Sequence, residues 1–332
     1  MQNVFISGKD PDILFISFVI LQGKEYLRNT MNGRVPHIVQ YQGSKRILAP
    51  QILQYMPRRF KRLVEPFSGM AAISIAVAAE GRAETYRIND LNKQIIDLLE
   101  CAVNSPEDLI TRYSDIWNEQ FSFPTGHLEH YYHIRERYND GEHSPEIMLY
   151  LLARCVKGAV RYGRSGNFNQ SPDKRRNGTS PRNLSKNVRQ VSMLLKGHVA
   201  FSAVDYIEIF HAAEPGDLVY MDPPYQGVSD AKDSRYLAGV SFDEFAGALE
   251  ILNRKGIDYI VSYDGACGGQ SYGKELPERL NCKKIMLNAG VSSQSTLLGR
   301  RDTTFEALYL SEGLTPIIQD VPQQISMWEQ AV

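Results

Sequence analysis

The sequence predicts an open α/β sheet wound on both sides, broken by a mainly helical insertion and finished by an antiparallel pair of strands. Three observations carry this. A strand–turn–helix–strand unit occupies residues 61–96. Helical periodicity and a basic loop then fill residues 104–196. After them, short apolar runs of strand length return, and one of them ends in Met221-Asp222-Pro223-Pro224-Tyr225.

Residues 1–36 read as an extension, with Met31 as an alternative start inside it. Its apolar run Ile13–Leu21 is nine residues long, too short to span a bilayer. It lacks the basic flank and small-residue cleavage site of a signal peptide, so no membrane partner is expected. Ile47–Met56 is predicted as a short helix and Lys61–Glu65 as a strand. The turn Pro66-Phe67-Ser68-Gly69 leads into a helix over Ala71–Ala79 that stops at Gly81. Glu84–Ile88 is a second strand, closed by Asn89-Asp90. Leu91, Ile95, Ile96, Leu98 and Leu99 mark the next helix.

Pro106–Trp117, His127–Tyr138, Pro145–Val160 and Leu184–Leu195 read as the helices of the insertion. Gly163–Pro181 has the Gly, Asn, Ser and Pro density of a long loop. Loops of that length inside a compact protein are functional or disordered. His198–Ser202, Asp217–Met221 and Asp258–Ser262 resume the sheet around helices from Tyr206 and over Phe242–Asn253. Lys283–Leu287 and Phe305–Leu310 form the late antiparallel pair, and residues 313–332 are a weakly structured tail. The expected division is thus one α/β domain of residues 37–103 and 197–312, with 104–196 inserted.

Net charge is −1, but it is unevenly placed. Eleven basic residues lie between Arg154 and Lys196 against the single acid Asp173, so this window carries +10 and the rest −11. A solvated basic loop is one reading; a polyanion partner is the one that Tyr162 and Phe168, interleaved with the charges, favour. Cys101, Cys155, Cys267 and Cys282 are far apart, with no metal-ligand spacing. Reduced thiols in a cytoplasmic protein follow, and no metal is expected.

Four segments carry chemistry. In Tyr41-Gln42-Gly43-Ser44-Lys45 the small residues allow close backbone approach and Lys45 supplies a cation; alone it is equally a surface turn. Glu65-Pro66-Phe67-Ser68-Gly69 opens the crevice at the end of the first strand, where helix N–H groups are free; a ligand-free βα turn is the other reading. Asp90 ends the second strand, 21 residues after Gly69, near the ~20 of acids that bind ribose hydroxyls. It competes with Asn89 as a helix cap. Asp222-Pro223-Pro224-Tyr225 is the most specific. Its carboxylate can accept from an exocyclic amino group, its prolines stiffen the turn, and its tyrosine offers a stacking face.

In this order the segments resemble the Dam-like (D12 class) adenine-N6 DNA methyltransferases, over about residues 37–311. The resemblance extends to Tyr131-Tyr132-His133-Ile134-Arg135 and Gly166-Asn167-Phe168-Asn169-Gln170. It implies a sheet that binds S-adenosylmethionine. Tyr41, Lys45, Pro66, Phe67, Gly69, Asp90 and Asp222 would lie at the cofactor. Asp222, Pro223 and Tyr225 would do the chemistry on a base flipped out of double-stranded DNA. Aspartate rather than serine at 222 leans toward adenine; cytosine N4, or adenine N6 of RNA, remains the alternative. Two departures stand out: Tyr41 replaces the usual tryptophan, and Ala71 stands where a second glycine is usual. The insertion is the expected DNA reader, through Arg164, Asn167, Asn169, Gln170, Lys174, Arg175 and Arg176; Asn and Gln suit adenine edges and Arg suits guanine. Lys174-Arg175-Arg176 could equally clamp phosphates. The polar stretch from Ser292 to Asp302 either faces the site or is a plain hairpin loop. Gln324-Ile325-Ser326-Met327-Trp328 is similar to sliding-clamp-binding tails, with a frayed terminus as the alternative. The implied setting is cytoplasmic, on nucleoid or phage DNA, alone or beside a restriction partner.

Overall fold

A computed structural model describes residues 35–224, 241–267, 270–272, 274–291 and 303–320. The predicted extension before residue 35, Tyr225, the stretch 292–302 and the clamp-like residues Gln324–Trp328 lie outside them.

Five strands are parallel: β1 (Phe60–Glu65), β2 (Ala83–Asn89), β3 (Val199–Ser202), β4 (Asp217–Met221) and β5 (Asp258–Cys267). They lie side by side in the order β3-β2-β1-β4-β5. The short β6 (Gln270–Tyr272) folds back on β5. The final pair, β7 (Lys283–Val291) and β8 (Thr303–Leu310), is antiparallel, and β8 is the one that pairs with β5. The predicted strands are found, but the last two run longer than the apolar runs alone suggested.

Both faces of the sheet are covered, which is why the parallel strands read as continuous apolar runs. Along β4, Leu218 and Tyr220 join one core, while Val219 and Met221 join the other. The first core takes in α2 (Ala72–Glu80) and α3 (Lys93–Asn104), the second α8 (Tyr206–Ala212) and α9 (Phe242–Lys255). Helix α3 buries Ile95, Ile96, Leu98, Leu99, Ala102 and Val103, a stripe at helical spacing. At about 1.5–3 kcal/mol for each large apolar side chain buried, this stripe outweighs the helix's own propensity.

The insertion is four helices: α4 (Pro106–Glu119), α5 (His127–Asn139), α6 (Pro145–Arg154) and α7 (Pro181–Leu195). A short α1 (Ala49–Ile52), flanked by 3₁₀ turns, precedes β1. Tyr113, Tyr131, Ile134, Tyr150, Leu184 and Val188 belong to the same buried cluster as Leu63, Ile88 and Leu218 of the sheet. The two ends of the insertion are also stitched together: Ser192 Oγ donates to the Val103 carbonyl at 2.6 Å and Lys196 Nζ to the Asn104 carbonyl at 3.1 Å.

The helix predicted through Val160 stops at Arg154. There the chain turns extended at Cys155, which bridges to Pro172, and Val156 N–H donates to the Ser171 carbonyl at 3.0 Å. Lys157 and Gly158 then take left-handed conformations, φ +63° and +60°. The Gly163–Pro181 segment is accordingly ordered by bridges, a second one joining Tyr162 to Phe168. Among the described residues no helix is long and apolar enough to cross a membrane, and no His/Cys/Asp/Glu group could hold a metal ion.

Candidate active site

Strand order reverses at β1. From β1 the chain steps outward through β2 to β3, then returns to lay β4 on the other side of β1. A crevice must open between the crossovers, beyond the carboxyl ends of β1 and β4. A cavity of about 620 Å³ lies there, within the range of small-molecule and cofactor sites. It is lined by Tyr41–Lys45, Glu65–Met70, Asp90–Asn92 and Asp222–Pro224 among others. All four segments singled out in the sequence therefore meet in one place.

Asp222 follows the last residue of β4. Its Oδ1 is 2.9 Å from Lys45 Nζ, and the same ammonium is 2.8 Å from Glu306 Oε1 on β8. Ser262 Oγ of β5 donates to Glu306 Oε1 at 2.9 Å. Lys45 is 8% exposed. Burial alone would lower its pKa, but Asp222 and Glu306 outweigh that and raise it. Burial pushes the Asp222 carboxyl up; Lys45 opposes the push and Glu306 adds to it, leaving it at about 6. Glu65, at the end of β1, is buried and accepts from Ser74 N–H at 2.9 Å and from the Ser74 hydroxyl. Desolvation lifts it to about 7 against those hydrogen bonds.

The β1–α2 turn is held from below by Asn89, whose amide uses both ends. Its Nδ2 donates to the Pro66 and Val204 carbonyls at 3.0 and 2.9 Å, and its Oδ1 accepts from Ser202 Oγ and Val204 N–H at 2.8 and 3.1 Å. Asn89 thus ties three strand ends, while Asn92 caps α3 by accepting from Gln94 N–H. Asp90 accepts from Gly69 N–H and Asn92 N–H, both at 2.9 Å. Burial raises its pKa and those two bonds pull it back. Gly69 is at φ +48°, and a Cβ there would come within 2.9 Å of the Tyr41 ring. Phe67 also lines the cavity and packs on Tyr206 at 5.0 Å and Phe245 at 6.1 Å between ring centroids.

The sequence did not single out Glu306, Ser262, Tyr220 or the cavity role of Tyr162; Glu65 stood in the second segment, but without a role of its own. Glu306 left a readable trace: it shares the β8 face with Leu308 and Leu310, so it is a carboxylate on a core-facing row. Tyr220 lines the cavity, is 2% exposed, and its hydroxyl has no hydrogen-bond partner among the described residues. A buried hydroxyl in that state costs free energy unless a ligand atom satisfies it. Tyr162 joins the insertion to the site, accepting from Asn92 Nδ2 at 3.2 Å and meeting Tyr138 Oη at 3.3 Å.

The residues expected to meet DNA fall into two groups. Arg164, Asn167, Asn169, Lys174, Arg175 and Arg176 are exposed. Gln170 is not: it is 9% exposed, its side chain donates to the Val156 carbonyl at 2.9 Å, and its own carbonyl accepts from Tyr131. The expectation that it reads base edges is corrected to a buried brace, because its amide is already used. Asp173, the lone acid of the window, accepts from Arg175 N–H at 3.0 Å and from Arg176 Nε at 2.8 Å.

Fold and cavity together define an α/β enzyme that binds its ligand beyond the carboxyl ends of its strands. The chain belongs to the D12 class N6 adenine-specific DNA methyltransferase family, whose model matches residues 41–315. It is similar to a DNA N-6-adenine-methyltransferase of Escherichia phage P1, 26% identical over 69% of this chain and 30% of that protein. The Retron Ec67 DNA adenine methylase of Escherichia coli is also 26% identical, over 68% of this chain and 76% of its own length. The Type II methyltransferase M1.LlaDCHI of Lactococcus lactis subsp. cremoris is 25% identical over 82% and 94%.

Proposed function

We propose that this chain transfers the methyl group of S-adenosylmethionine to the N6 amino group of adenine in double-stranded DNA, with the target base flipped into the cavity beside Asp222. The observation that carries this is Asp222 itself, set at the switch point, at the rim of a cofactor-sized cavity, in a chain of the D12 family.

The residues present fit the cofactor. Asp90 offers a carboxylate for ribose hydroxyls. The Tyr41 ring lies against Gly69, where no Cβ intervenes, and both line the cavity. The Tyr220 hydroxyl, without a hydrogen-bond partner among the described residues, is open to a polar ligand atom. When bound, S-adenosylmethionine supplies an electrophilic methyl group on a positively charged sulfur.

The chain's own work is on the acceptor. The lone pair of adenine N6 is delocalised into the ring. The Asp222 carboxylate and the Pro223 carbonyl accept from the two amino hydrogens, which draws the nitrogen toward tetrahedral geometry and aims its lone pair. Lys45 holds Asp222 Oδ1, so Oδ2 is the oxygen turned to the base. As the new N–C bond forms, N6 loses a proton; a carboxyl poised at about 6 can hold it and release it to water. Tyr225 provides the stacking face. The exposed Arg164, Lys174, Arg175 and Arg176 hold the phosphates, and Asn167 and Asn169 suit base edges.

The test is methylation of duplex DNA by the purified protein, followed by mass spectrometry of the nucleosides. N6-methyladenine is expected. N4-methylcytosine, or methylation confined to RNA, would overturn the adenine-DNA reading. Methylation-sensitive sequencing of host DNA carrying the gene reports the recognised sequence.

A further inference from the structure

Lys45 is the only cation among the described residues that line the cavity, facing the carboxylates Glu65, Asp90, Asp205, Asp222 and Glu244. Had Lys45 paired with Asp222 alone, it would have neutralised the one carboxylate nearest the chemistry. Instead its ammonium is divided. Glu306 does not line the cavity; it reaches Lys45 from behind the wall, on the antiparallel strand β8, at 2.8 Å, slightly closer than Asp222 at 2.9 Å. Ser262 fixes the Glu306 oxygen that makes this contact.

Resting on the cofactor reading above, we propose that Glu306 is a positioning residue that draws Lys45 back into the wall and so keeps the Asp222 side of the cavity negative. Its effect is to favour the positively charged S-adenosylmethionine over S-adenosylhomocysteine, the neutral product left after transfer. The two molecules share the adenosine, the amino group and the carboxylate, so only the charge on sulfur separates them. Transfer in line to a nitrogen held by Asp222 requires that sulfur to sit on the Asp222 side. A unit charge several ångströms away in a partly screened site is worth about tenfold in affinity. Loss of the methyl group thereby weakens binding and promotes exchange of product for fresh cofactor.

Calorimetric binding tests this without turnover. S-adenosylmethionine, S-adenosylhomocysteine and sinefungin, which carries a protonated amine where the sulfonium stands, are titrated into wild-type protein. Wild type is expected to bind both cations about tenfold more tightly than the neutral thioether. Glu306→Gln is expected to bring the ratio close to one, while Glu306→Asp, which keeps the charge, retains most of it. A purely structural role for Glu306 would weaken all three ligands together. Wild-type protein that binds the thioether as tightly as the two cations overturns the inference, even if no variant folds. So does a Glu306→Gln protein with the wild-type ratio. Failure of wild type to bind any of the three overturns the cofactor reading and the inference with it.

Discussion

Gly158 presses its α-carbon against the Gln40 carbonyl so closely that any Cβ there would overlap the oxygen. Its own carbonyl accepts from Gln42 N–H at 3.0 Å. The insertion and the segment that carries Tyr41 and Lys45 are therefore joined backbone to backbone, at a residue whose φ of +60° already favours glycine.

Gly158→Ala is the sharpest structural test. The left-handed conformation costs an alanine about 1 kcal/mol, and relieving a backbone overlap costs about 1–3 kcal/mol more. The variant is expected to lose roughly 2–4 kcal/mol in denaturant unfolding and to bind S-adenosylmethionine more weakly. Wild-type stability and affinity together would show that the contact does not hold the Lys45 segment.

The pH dependence of methylation follows from Asp222. At about 6 its carboxyl is raised, so it gains a proton, and loses an acceptor, as pH falls through that value. The rate constant kcat/KM is expected to fall tenfold per pH unit below about 6. Lys45 lowers the Asp222 pKa, so Lys45→Met is expected to move this acid limb to higher pH. It should also reduce kcat on the order of 10²-fold. An acid limb that stays where it was would remove Asp222 from the rate-determining chemistry.

Glu65 gives a prediction on stability. Its folded pKa of about 7 lies above its ordinary value of 4.5. Between these values the folded state binds more protons than the unfolded one, so this group's contribution falls as pH rises from about 4.5 to 7 and is level beyond. Glu65→Gln removes the dependence while its amide oxygen can still accept from Ser74. The variant's stability relative to wild type is expected to climb across that window, by up to about 3 kcal/mol, in urea melts at several pH values. A difference independent of pH would contradict the buried-carboxylate account.

Ala71 is buried at φ +53°, ψ +39°, where the family resemblance implies a glycine. Glycine would relieve about 1–2 kcal/mol of left-handed strain. It would forfeit about 0.8 kcal/mol of methyl burial and about 0.5–1 kcal/mol of chain entropy. These terms nearly cancel, so Ala71→Gly is expected to change stability by less than about 1 kcal/mol. Ala71→Val adds a β-branch and bulk with no relief, and is expected to cost more than about 2 kcal/mol. Thermal melts of the two variants compare them directly.

Much of this was legible in the sequence because it rests on local rules. Strand β4 was delimited to the residue because an apolar run ended at two prolines. Asp90 and Gly69 stood out through their spacing after short strands, and they do meet, N–H to carboxylate. What stayed hidden depended on pairing across the sheet. Glu306 reaches Lys45 only because β8 lies beside β5 rather than at the far edge. Gln170 looked like a base reader because its burial depends on Val156, fourteen residues earlier, where a predicted helix had already given way to a bridge. A propensity argument sees the polar side chain and not the neighbour that uses it.

The hydrophobic core that residues 104–196 share with one face of the sheet bears on how that segment can be exchanged. Cutting the chain at residues 104 and 196 to graft a foreign reader would strip cover from Val103 on one side of the seam and Leu195 on the other. A transplant that carries α3 as well, along with the basic loop and α7, takes both halves of that seam with it. The transferable cassette then begins at the start of α3, near Lys93, and ends as before after α7, at Leu195.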